Sequence, residues 1–197
     1  MKIKSFFYIA FSILISFNSL AQNKERKFKI HTLAFYNLEN LFDTINDVNK
    51  NDEASPIMEI KFNRGNIYKQ KVTNMARVIS EIGYDVTNRP PTIIGICEVE
   101  NRNVVEDLIA NEKLSKYNYG IVHYDSPDRR GIDVGLLYNK DIFKVINSNS
   151  HVLYINYNNT SNRSYTRDQL VVSGKLDGEL IHLIVNHWPS RGADETK

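Results

Sequence analysis

After the break at Pro90-Pro91, the eight residues Thr92-Ile93-Ile94-Gly95-Ile96-Cys97-Glu98-Val99 are apolar almost without interruption. A run this short makes no long helix. Because it is apolar at odd and even positions alike, it offers no polar face to water, which describes a strand covered on both sides. That one segment constrains the fold to a layered one, since apolar material must lie against each face of the sheet that holds it.

The rest of the chain supplies the coverings. Ile67, Val72, Met75, Ile79 and Ile82 recur at helical spacing, and Gly83 stands where a helix would stop. Val104, Val105, Leu108 and Ile109 mark a shorter second helix. Runs rich in β-formers predict strands at Phe28–Phe35, Tyr119–Tyr124, Ile132–Tyr138 and Val152–Tyr157. Leu170–Leu176 and Glu179–Asn186 flank Asp177-Gly178, a strong hairpin signal. Strand–helix alternation followed by hairpins predicts a mixed α/β protein. The polar stretch Asp43–Asn66 is long for a loop, and such loops are functional or mobile.

At the N-terminus, Lys2 and Lys4 precede an apolar run from Phe6 to Phe17 and then Ser19-Leu20-Ala21, the pattern of a secretory signal peptide over residues 1–21. Residues 22–197 then form the domain, which is expected to be exported, to the periplasm or the medium. No later run reaches the ~20 apolar residues of a membrane helix, so no transmembrane segment is expected after cleavage. Two of the 25 basic residues fall in the leader, and the others balance the 23 acidic ones, so no global field draws the domain to nucleic acid. Arg129, Arg130, Arg163, Arg167 and Arg191 recur in turns, either as a local cationic pocket or as solvated loop residues. The single cysteine, Cys97, forms no internal disulfide and reads as a small core side chain rather than a nucleophile. No obligate protein partner is indicated.

Polar groups gather where three apolar runs end: Asn37, Glu39 and Asn40; Glu98, Glu100 and Asn101; and Asn186-His187-Trp188-Pro189-Ser190-Arg191. A carboxylate with an asparagine amide offers hard oxygen ligands of the kind Mg2+ or Mn2+ accepts, and arginines match phosphate. Zinc fits less well, because the five histidines show no HxxxH or HxH spacing. His182 and His187 are an odd number apart on one strand and face opposite ways. An exported sugar-binding or adhesin-like module would need aromatic platforms, whereas the 11 tyrosines are scattered.

These segments resemble the endonuclease/exonuclease/phosphatase family. Phe35-Tyr36-Asn37-Leu38-Glu39-Asn40-Leu41-Phe42-Asp43 resembles its opening strand with an active-site asparagine. Ile93 to Asn101 resembles its apolar strand ending in Gln-Glu-Val, with Cys97 in place of the glutamine. Ser126 to Tyr138 resembles the segment that brings up substrate-contacting groups, and leaves open which of Arg129, Arg130 and Asp133 faces the site. Arg167-Asp168 resembles the arginine–acid pair that some members place near the scissile phosphate, and Val185 to Arg191 the strand end with the first active-site histidine.

The resemblance implies a DNase I-like four-layer α/β sandwich, two mixed β-sheets flanked by helices, with its C-terminal part missing. It implies Glu98 as the ligand of Mg2+ or Mn2+, His187, Asn37 and Arg167 as catalytic groups, and Arg130, Asn186 and Arg191 as substrate contacts. The substrate would be a phosphate ester, with nucleic acid among the candidates. Neither the family's Gly-Asp-x-Asn motif nor its late Asp-His pair occurs before Lys197. The expectation is therefore the N-terminal portion of a phosphoester hydrolase, or alternatively an inactive fragment that binds metal or phosphate.

Overall fold

A computed structural model describes residues 28–156 and 160–189 of the chain. The elements, in chain order, are β1 (Leu33–Leu41), α1 (Arg64–Glu81), α2 (Tyr84–Thr87), β2 (Ile93–Val99), α3 (Arg102–Ala110), β3 (Tyr119–His123), β4 (Asp133–Asn139), β5 (Phe143–His151), β6 (Ile155–Asn156), β7 (Arg163–Ser164), β8 (Gln169–Leu176) and β9 (Glu179–Val185). One sheet has the order β1-β2-β4-β3, with β1 and β2 parallel and the other pairs antiparallel. The second, β5-β8-β9, is antiparallel, and β6 with β7 makes a two-residue ladder.

β2 is buried on both faces, as its composition requires. Ile94, Ile96 and Val99 join a core with Val72, Met75, Ala76 and Ile79 of α1 and Val104, Val105 and Leu108 of α3. Ile93 and Cys97 point the other way, into a core with Val134 and Leu136 of β4 and Phe143, Leu170, Val172 and Val185 of the second sheet. Each fully buried aliphatic side chain of this kind contributes roughly 1.5–3 kcal/mol. Layers of helix, sheet and sheet result, consistent with an α/β sandwich. Gly95 lets the sheets approach: a Cβ there would meet Phe35 Cδ2 at 3.0 Å and Val185 Cγ1 at 3.4 Å.

Local chemistry sets the helix ends. Asn101 caps α3 by accepting from the Val104 N–H at 3.1 Å. Past α1, Gly83 takes φ +65°, and a Cβ on it would meet Thr32 Oγ1 at 2.6 Å, so both conformation and space require glycine.

Three elements differ from the sequence reading. β1 begins at Leu33 rather than Phe28 and runs on to Leu41, because its ladder with β2 continues to the Leu41–Val99 pair. β5, Phe-Lys-Val-Ile-Asn-Ser-Asn-Ser-His, has no apolar pattern to announce it; it is held by its ladder with β8 and anchored by the fully buried Phe143. The strand expected at Val152–Tyr157 is only Ile155–Asn156 among the described residues. The leader at 1–21 lies outside them, and no described helix is long and apolar enough to cross a membrane.

Candidate active site

The strand ends that matter are distorted, and the distortions aim side chains. In β1, Glu39 and Asn40 take φ +52° and +57°, and the ladder with β2 shifts between Asn37 and Leu41. The Asn37 Oδ1 accepts from the Glu39 N–H at 2.7 Å, drawing the backbone out of the ladder. Two carbonyls freed by that turn, those of Glu39 and Asn40, accept from Lys71 Nζ of α1 at 2.5 and 2.9 Å.

β2 is distorted at the neighbouring position. Glu98 has φ +58° and is the extra residue of a bulge between the Cys97–Val134 and Val99–Asp133 pairs. Left-handed backbone at a non-glycine residue costs about 1–2 kcal/mol, and bulges re-aim side chains. Here the bulge turns the carboxylate to the sheet's end. Its Oε2 accepts from the Asn40 N–H at 3.0 Å, and its Oε1 lies 3.2 Å from His187 Nε2.

His187 reaches Glu98 because Arg167 holds the chain leaving β9. Buried Arg167 donates from Nε to the His187 carbonyl at 3.1 Å, from Nη2 to the Trp188 carbonyl at 2.9 Å, and from Nη1 to Asp128 Oδ2 at 3.0 Å. Buried Asp128 also accepts the Arg130 N–H on Oδ1 at 2.9 Å, with Arg130 Nε 3.7 Å from the same oxygen. A cleft of about 450 Å3 opens above this network, lined by Glu98, Asp128, Arg130, Tyr165, Arg167, His187 and Trp188 among others.

Burial, and then the nearby Arg167 charge, hold the His187 imidazole below the ordinary histidine range, against the opposing pull of Glu98. It is therefore neutral near pH 7 and can take a proton. The Cys97 thiol is buried in the apolar core and pushed up to about 12, first by burial and then by the Glu98 charge, which leaves it protonated and inert.

The sequence candidates fall into groups. Glu98, Arg130, Arg167 and His187 line one cleft. Asn37 lies in the middle of β1, opposite Cys97 where the regular ladder breaks, and is not among the lining residues. Asn186 does not line the cleft either; its Oδ1 accepts from Gln169 Nε2 at 2.8 Å. Arg191 lies outside the described residues. Asp128 and Lys71 were not anticipated: an aspartate in a turn and a lysine on a helix carry no pattern that marks them, and only packing shows what they hold.

Glu98 suits a divalent cation, being a hard oxygen donor fixed at a sheet end with no lysine or arginine ion pair among the described residues and the neutral His187 imidazole 3.2 Å from its Oε1. A second group, His123, Asp125 and Asp133, offers one ligand atom each, all within 4.8 Å of one another, a spacing that could hold a metal ion.

Fold and cleft together define an α/β sandwich with a fixed carboxylate, a neutral imidazole and arginines at its strand ends. The chain belongs to the Endonuclease/Exonuclease/phosphatase family, whose model matches residues 32–197. Among solved structures it is similar to an endonuclease/exonuclease/phosphatase from Bacteroides vulgatus, with 16% identity, 77% of this chain and 49% of that chain covered, and a TM-score of 0.43. It is also similar to a humanized D. rerio TDP2 (15%, 80% and 46%, 0.44) and to a mannosyl-6-phosphatase of Bacteroides thetaiotaomicron VPI-5482 (14%, 79% and 50%, 0.43). The chain spans about half the length of these structures. No curated protein matches it by sequence.

Proposed function

We propose that this chain acts in the metal-dependent hydrolysis of phosphate esters, as an exported nuclease or phosphodiesterase with phosphomonoesters within its range. The observation that carries the reading is the Glu98–His187 contact of 3.2 Å at the floor of an arginine-lined cleft. Export rests on the leader pattern of residues 1–21.

Each residue has a defined task. Glu98, held by the Asn40 N–H, would bind Mg2+ or Mn2+, which when bound neutralises charge on the non-bridging oxygens. Exposed Arg130 has donors to spare and binds the phosphate. Arg167 spends three of its five N–H donors on protein acceptors, so it positions His187 and Trp188 and adds its charge from below. Neutral His187 holds or accepts the proton at the leaving or attacking oxygen. The Asn37 amide, at the ladder break of neighbouring β1, orients a phosphate oxygen or water.

A second reading is a domain that binds metal or phosphate without turnover. The two separate in one assay: Mg2+- and Mn2+-dependent hydrolysis of plasmid DNA and bis-p-nitrophenyl phosphate by the chain, beside Glu98→Ala and His187→Ala. Metal-dependent turnover lost in both variants supports the hydrolase. Turnover that survives Glu98→Ala overturns the assigned site, and a folded protein without turnover supports the second reading.

A further inference from the structure

The end of β3 and the start of β4 hold two buried groups whose polar atoms face each other within ion-pair distance but without a hydrogen bond. His123 and Asp133 have side chains 4% and 0% exposed, and His123 Nε2 lies 3.2 Å from Asp133 Oδ2. Neither atom has a hydrogen-bond partner among the described residues. The carboxylate is not free to turn away, because its other oxygen, Oδ1, accepts from both the Ser126 N–H at 2.8 Å and the Ser126 hydroxyl at 2.5 Å. Serine thus fixes Asp133 with Oδ2 directed toward the imidazole. Leaving a buried donor or acceptor unpaired is costly, and folded proteins seldom tolerate it.

A cation accounts for both orphaned atoms at once. Two ligand atoms bound at right angles to an ion with bonds of about 2.1 Å stand about 3 Å apart, close to the observed separation. A third ligand is at hand in Asp125, whose donor atom lies within 4.8 Å of the other two and whose side chain is 74% exposed, leaving an entry path.

Lys50 sharpens the case. Its Nζ lies 3.6 Å from Asp125 Oδ1 and 3.9 Å from Asp133 Oδ2, too far to hydrogen-bond either, and donates to the Glu100 carbonyl at 3.3 Å. Its stem crosses Gly131, where a Cβ would meet Lys50 Cδ at 2.6 Å. The ammonium offsets the charge of the two carboxylates and leaves Oδ2 unbonded. It stands where a charge is wanted but does not complete the site.

We infer that His123, Asp125 and Asp133 form a divalent-cation site separate from Glu98, and that Lys50 is the counter-charge the ion displaces. An imidazole with two carboxylates selects Mn2+ or Zn2+ over Mg2+ or Ca2+. Occupancy then reaches beyond the site. Lys50 is followed by Asn51, whose N–H donates to the Arg129 carbonyl at 3.3 Å, so displacing Lys50 loosens the crossing between the loop after β1 and the arginine loop beside the cleft. The inference does not depend on the hydrolase reading.

The test is calorimetric titration of the full chain with Mn2+ and with Zn2+, and Co2+ absorption, all in a Glu98→Gln background that disables the first carboxylate. One equivalent is expected to remain bound, with Co2+ bands that report a nitrogen ligand. Asp125→Ala, at an exposed position that leaves folding intact, weakens binding by roughly tenfold or more. Lys50→Met acts in the opposite direction and tightens it by roughly tenfold, because a nearby like charge is gone. Loss of all binding in Glu98→Gln alone, or an affinity unmoved by both Asp125→Ala and Lys50→Met, overturns the site.

Discussion

Arg167 is the residue whose removal should disturb the most structure for one side chain. Its guanidinium spends three donors on Asp128 Oδ2 and the carbonyls of His187 and Trp188, at 2.9 to 3.1 Å, and both members of its ion pair are 5% exposed. Arg167→Met keeps the stem and removes every donor. Breaking a buried pair from one side costs about 3–5 kcal/mol, because a charge is left without its partner. At about 2–4 °C per kcal/mol for a chain of this size, melting falls by roughly 6–20 °C. Arg167→Lys does not rescue it, since one ammonium cannot meet three acceptors arranged around a planar fork.

Thermal and urea unfolding measure the loss, and a double-mutant cycle locates it. If the stranded Asp128 charge carries much of the cost, Arg167→Met with Asp128→Leu is less destabilised than the sum of the single variants, by about 1–3 kcal/mol. A single variant within about 1 kcal/mol of the parent, or additive single variants, refutes this account. An independent readout is the His187 titration followed by NMR. The Arg167 charge depresses that imidazole, so its pKa rises in Arg167→Met.

Two further outcomes follow from buried groups elsewhere. The Glu100 carboxyl, 2% exposed, is pushed up to about 7, chiefly by burial and against the Asp43 N–H that it accepts. A raised folded-state value favours the protonated form, so its contribution is full below pH ~4.5 and is lost as pH rises through about 7. Glu100→Gln should therefore gain stability over the parent at pH 8, by at most on the order of 3 kcal/mol, and lose that advantage at pH 4.5 in urea titrations. At Gly174, a Cβ would strike the Phe143 ring and lie 2.7 Å from the Lys144 carbonyl, which is backbone and cannot swing aside. Gly174→Ala should cost about 1–3 kcal/mol, read as a lower urea midpoint with unchanged slope.

The parts of the fold that were legible in sequence are those whose burial is written in periodicity. Thr92–Val99 is apolar on both parities because helices cover one face and a sheet the other, and α1 and α3 show their apolar stripes for the same reason. β5 was hidden because an edge strand needs little burial: after Phe143, backbone pairing with β8 carries Lys144 to His151, and the exposed positions are Lys144, Ile146, Asn147, Asn149 and His151, which form no apolar pattern. In the site, the positions of Glu98 and His187 could be read as polar residues at strand exits. The device that joins them could not, because Asp128 and Arg167 are 39 residues apart and meet only after the sheets have packed.

Backbone conformation was the other hidden quantity, and it explains why the site lies where it does. Parallel β1 and β2 end on the same side of the sheet, and antiparallel β4 begins there, so three strands deliver their polar ends to one place. At that place Glu39, Asn40 and Glu98 all hold left-handed backbone, at about 1–2 kcal/mol for each glutamate and less for the asparagine, which adopts it more readily. Glycine would relieve all three. At Glu98, however, it would remove the carboxylate that faces His187, and with it the oxygen that accepts the Asn40 N–H. Lys71 offsets part of the cost by binding the two carbonyls turned out at Glu39 and Asn40, even though burial lowers its own pKa. Strain is thus kept where a side chain is required and stabilised by partners from a different layer of the sandwich, the pattern expected of a site that must hold a carboxylate fixed before a ligand arrives.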